Sequence, residues 1–150
     1  MTRSLALSVL TAGLLSGLPA LAQPQMTLPE ASPRASVSQV VGLTNITIRY
    51  GRPSVNKRKV WGGLVPYGEV WRAGANENTT FEVSSPVRVE GKPLAAGTYG
   101  LHLIPTESSW TVIFSEQSHA WGSFSYDKKE DALRVEVKPV AAEHVERLRY

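Results

Sequence analysis

The chain has 150 residues, enough for one domain with its own core. Its 16 Lys and Arg against 13 Asp and Glu leave a formal charge of +3, and only Asn56-Lys57-Arg58-Lys59 is locally dense, so no nucleic-acid-binding face is expected and that run reads as a solvated loop. With no cysteine there is no disulfide staple, thiol nucleophile, Cys-ligated metal or lipid-bearing N-terminal cysteine, and stability must rest on the core.

Arg3, the apolar stretch from Leu5 to Leu18 and the Ala20-Leu21-Ala22 triplet read as a secretory signal peptide over 1–22, cleaved before Gln23. The apolar stretch is short of the roughly 20 residues that cross a bilayer, and no later segment approaches that length. The expectation is an exported protein, periplasmic or extracellular, with no membrane span. Pro24, Pro29 and Pro33 mark 23–35 as an extended arm.

A single β domain is expected over 36–150. Val37 to Val41 and Thr44 to Tyr50 alternate apolar and polar residues around Gly42, a hairpin pattern. Gly51 to Ala75 is a long loop rich in glycine, proline, tryptophan and arginine, a kind of segment that is usually functional or packed on itself. Strands resume at Thr79–Val83, Val87–Glu90, Thr98–Ile104 and Trp110–Phe114, with a turn at Gly91-Lys92. Asp127 to Ala132 fits one helical turn capped by Asp127. Leu133 to Lys138 is a strand with its apolar face at the odd positions. Short strands at this spacing predict an all-β antiparallel sandwich crossed by the long loop. Glu143 to Tyr150 fits helix and strand equally.

Several motifs in fixed order carry a family resemblance. They are Arg49-Tyr50-Gly51-Arg52-Pro53, Trp61 to Gly68, Val70 to Glu77, Leu94 to Tyr99, Ile104-Pro105, Trp110 to Phe114 and Trp121 to Tyr126. Over about Ser32 to Lys138 the chain resembles the DUF2911 family of exported bacterial proteins. The resemblance implies an exported β-rich domain and supplies no catalytic residues. It also implies strands beyond the position of Tyr150 that finish the sheet. On that basis the sequence predicts either an exposed edge open to self-association or a different closure by 143–150.

The chain shows no nucleophile elbow, no HExxH and no phosphate-binding glycine loop, so no cofactor is expected. His102, His119 and His144 have no ligand spacing, and no metal site is predicted; His102, between Leu101 and Leu103, reads as a hydrogen-bonded sheet histidine. The densest chemistry lies in Val70 to Thr80. Trp71, Arg72, Asn76 and Glu77, with Arg52 at the rim, combine an aromatic plate, planar cations, an amide and a carboxylate. Such a set can stack on a sugar ring or hold a ligand carboxylate. Structural roles are open to the same residues: Arg72 pairing with Glu77, Asn76 shaping a turn, Trp61 and Trp71 plugging the core.

The leading expectation is a non-catalytic binding or interaction module for a small polar ligand, a sugar or a carboxylate. One alternative is a hydrolase using Glu77, with Glu69 as a second carboxylate. The other is a structural or assembly domain pairing through an open sheet edge.

Overall fold

The computed structural model describes residues 28–150, so the expected signal peptide and the start of the arm lie outside the described residues. Alternating side chains at its N-terminal end form β1 (Arg34–Val41) and β2 (Thr44–Gly51), an antiparallel hairpin in unbroken register. Gly42, at φ +62°, takes the first central position of its two-residue turn, where a left-handed residue is required. β1 begins two residues before the expected domain boundary.

Six more strands follow: β3 (Thr79–Val83), β4 (Val87–Val89), β5 (Lys92–Leu94), β6 (Gly97–Pro105), β7 (Trp110–Ser115) and β8 (Asp131–Val137). The expected helical turn is a single 3-10 turn, Lys128–Glu130, and Asp127 caps it by accepting from the Lys129 amide at 2.9 Å. The main sheet has the order β1-β2-β3-β6-β7-β8, every pair antiparallel, and β4-β5 form a separate ribbon. The all-β antiparallel class read from the sequence is what the chain adopts, with one large layer and one small one.

The period of two decides what each face buries. Leu101 and Leu103 on β6 stand in register with Phe114 and Val112 on β7, which face Leu133 and Val135 on β8. Phe81 and Val83 on β3 extend this face, and Val87, Val89 and Leu94 of the ribbon cover it together with Trp71 and Ala73. On the opposite face the centre is also closed, with His102 and Ile113 2% and 0% exposed. Segment 116–127 lies over them. A Cβ on Gly100 would overlap the Gln117 carbonyl oxygen and stand 3.1 Å from Asn78 Nδ2, so only glycine lets this segment come so close. Asn78 pins the same segment, its amide donating to the Ala120 carbonyl and its side chain to the Gln117 carbonyl. Among the described residues no helix is long and apolar enough to cross a membrane.

Candidate functional site

The glycine-rich loop is irregular but tied down. The Trp71 amide donates to the Leu103 carbonyl and the Trp71 carbonyl accepts from the Leu103 amide, both at 2.8 Å, and the Gly68 amide donates to the Pro105 carbonyl. The loop is therefore joined to the far half of β6 by an isolated antiparallel bridge. This pairing puts Trp71 on the core side, the face that Trp110, the first residue of β7, also takes.

Trp61 completes a cluster of three. Its ring meets Trp71 edge-on, with centroids 5.6 Å apart, and lies tilted on Trp110 at 4.5 Å. Both distances fall in the favourable range for aromatic pairs. The Tyr67 ring covers Gly62, where a Cβ would stand 2.8 Å from it. The cluster does not close into a core. Trp61, Tyr67 and Leu64 stay 37, 41 and 50% exposed. They form one wall of a groove of about 1220 Å³, bordered also by Arg58 and Asn76.

The opposite wall is the C-terminal segment. The Val55 amide donates to the Glu146 carbonyl and the Leu148 amide to the Pro53 carbonyl, an extended pairing against the start of the loop. Tyr150 anchors its end: the phenol donates to the Ala73 carbonyl at 2.8 Å, and the ring meets Tyr50 edge-on at 4.8 Å. Burial, with Tyr50 beside it, pushes the Tyr150 phenol well above its ordinary pKa range. Thus 143–150 forms neither the helix nor the strand that its sequence fits, but an extended segment held to the loop through a single antiparallel bridge, Ser54 with Arg147, away from the edge of the main sheet.

The five expected site residues are dispersed. Trp71 and Asn76 border the groove. Arg52 is bound to the C-terminal segment, its Nε donating to the Leu148 carbonyl at 2.9 Å. Arg72 contributes to the groove wall, but it follows Trp71 and so faces the other side of the sheet. Its guanidinium lies against Gly122, and its Nε is buried without a hydrogen-bond partner. Asn76, left-handed at φ +64°, reaches the Ser32 carbonyl at 3.4 Å. Glu77 pairs with Arg34, not with Arg72.

Glu77 borders a separate cavity of about 580 Å³, with Arg34, Ser36, Arg49, Thr80 and His119. Glu69 is exposed and lines neither space, so the two carboxylates share no cavity. Among the described residues no three His, Cys, Asp or Glu side chains group closely enough to hold a metal ion. His102 is the hydrogen-bonded sheet histidine expected, its Nδ1 3.0 Å from Ser123 Oγ. Tyr126 packs beside its ring at 5.3 Å, and burial lowers the His102 pKa.

Sequence reasoning missed Trp110 and Tyr67 as groove walls and the C-terminal segment as its partner. Trp110 heads a strand, where it reads as core; only its alignment with Pro105 beside the loop turns it toward the groove.

The geometry defines an all-β domain with an aromatic groove between its long loop and its C-terminal segment. The chain belongs to the DUF2911 family, described as protein of unknown function, whose sequence model matches residues 32–150. No curated protein and no solved structure matches it.

Proposed function

We propose that the protein is an exported, non-catalytic binding module that takes a carbohydrate in the groove walled by Trp61, Trp71, Trp110 and Tyr67. The observation that carries this reading is the incompletely buried tryptophan cluster, with Trp61 37% exposed at the groove surface. A sugar ring has an apolar face that stacks on indole and hydroxyls that take edge hydrogen bonds, which suits aromatic walls with a few polar groups.

The cations favour a sugar over a small carboxylate. Arg58 spends its Nε and Nη2 on the Val55 and Ser54 carbonyls, and Arg52 spends Nε on Leu148. A carboxylate would find these donors engaged and only the remaining N–H groups of each fork open to it. A hydrolytic reading through Glu77 and Glu69 lacks a cleft common to both residues.

Titrating intrinsic tryptophan fluorescence with a panel of oligosaccharides and small carboxylates tests this. Oligosaccharides should shift the emission, and Trp61→Ala should weaken their binding at least about tenfold, near 1.4 kcal/mol. Carboxylates that bind equally well to Trp61→Ala, with oligosaccharides silent, would reject the reading.

Export rests on Arg3, the apolar stretch and Ala20-Leu21-Ala22. N-terminal sequencing of the protein recovered outside the cytoplasm should begin at Gln23. A start at Met1 would exclude cleavage there.

A further inference from the structure

The main sheet ends in β1 on one side and β8 on the other, and the two edges differ. β8 carries Asp131, Arg134 and Glu136; β5 packs alongside it, and Lys92 Nζ donates to the Arg134 carbonyl at 3.0 Å. Charge and cover of this kind are how β proteins guard an edge. β1 has neither. From Ala35 to Val41 it holds no charge, proline or glycine, and among the described residues no strand pairs with its outer side. Val37, Val40 and Val41 are 39, 62 and 56% exposed.

The hairpin fixes which backbone groups are free. The Arg52 amide donates to the Pro33 carbonyl at 2.9 Å, and this pair continues the β1–β2 register. In an antiparallel ladder, hydrogen-bonded and non-bonded pairs alternate. Ala35, Val37, Gln39 and Val41 therefore direct their N–H and C=O groups to β2. Arg34, Ser36, Ser38 and Val40 direct theirs outward. The two-residue turn agrees, because its closing pair, Val41 and Thr44, falls in the bonded set.

We propose that β1 pairs antiparallel with β1 of a second copy about a two-fold axis, joining two six-stranded sheets into one. An axis at Ser38 sets Ser38 against Ser38 and Ser36 against Val40, all from the outward-facing set. A two-fold axis opposes a segment to itself, so any charge near it meets a like charge. β1 is neutral where that matters. Its one charge, Arg34, falls opposite Gly42 in the turn of the other copy. This neutrality makes a second copy a better occupant than a charged foreign strand.

Light scattering coupled to size-exclusion chromatography should give twice the chain mass, unchanged by salt. Ser38→Pro is the discriminating variant. The Ser38 N–H points outward, so proline removes no bond to β2, only the hydroxyl contact to Thr47 at 2.9 Å. The mass should halve, with circular dichroism and Tm preserved. If proline perturbs the fold, Ser38→Lys places like charges across the axis; the mass should halve at low salt and recover at high salt. A wild-type monomer at every concentration would overturn the proposal. So would a dimer that persists in both variants.

Discussion

Gly51→Ala is expected to cost about 3 kcal/mol, at or above the top of the usual overpacking range. A Cβ at this position would overlap the Ala75 carbonyl oxygen and lie 3.0 Å from its carbon. The obstacle is backbone and cannot rotate away. The turn that carries Ala75 also has little freedom to retreat. Ala73 and Asn76 are already left-handed, at φ +54° and +64°, a conformation costing a non-glycine residue about 1 kcal/mol. The Ala73 carbonyl accepts from both Thr79 Oγ1 and the Tyr150 phenol. Retreat of the turn would break those bonds and loosen the C-terminal wall of the groove. Gly42→Ala is the control, since nothing lies within 4 Å of its Cβ and only the positive φ is penalised, about 1 kcal/mol. Urea denaturation of both variants checks the contrast. Equal losses would mean that the 73–76 turn yields freely.

The same turn explains which features were legible in the sequence. Strand and turn assignments needed only local periodicity. β8 shows its apolar face at the odd positions, the turn expected at Gly91-Lys92 falls one residue earlier at Glu90-Gly91 with both residues left-handed, and Asp127 caps its 3-10 turn. The candidate site needed more, because its residues are sorted by sheet register. Pairing of Trp71 with Leu103 assigns neighbouring Arg72 to the opposite face, although the two stand side by side in sequence. Glu77 finds its cation in Arg34, 43 positions earlier, because β2 carries β1 to that end of the sheet. Five residues of separation made an Arg72–Glu77 pair plausible, but the Arg72 guanidinium lies against Gly122 while Glu77 reaches Arg34. The second layer was legible only in part. A three-residue ribbon strand such as β4 gives a weak alternation signal, and nothing local shows that the loop supplies the rest of the cover.

Asp131→Ala is expected to remove about 2–3 kcal/mol, less than the loss of a fully buried partner because the Arg134 side chain keeps 29% exposure. The Asp131 side chain is 7% exposed, accepts the Tyr126 phenol at 2.8 and 2.9 Å, and pairs with Arg134. Its removal leaves a hydroxyl and a guanidinium, both half-buried, without their acceptor, at the end of the segment that covers His102. The loss should also depend on pH. Burial holds His102 below the ordinary 6.5, while the Asp131 charge opposes that shift. Just below pH 6.5 the unfolded chain therefore binds more protons than the native one, so stability is full above 6.5 and declines as the pH falls through the window beneath it. Without Asp131 the His102 pKa drops further and the window widens. The deficit of Asp131→Ala relative to the parent should then be larger at mildly acidic pH than under alkaline conditions. Chemical denaturation on either side of 6.5 measures both effects. A deficit that is the same at both pH values would separate His102 from Asp131, and a loss well under 1 kcal/mol would show that Tyr126 and Arg134 find other partners.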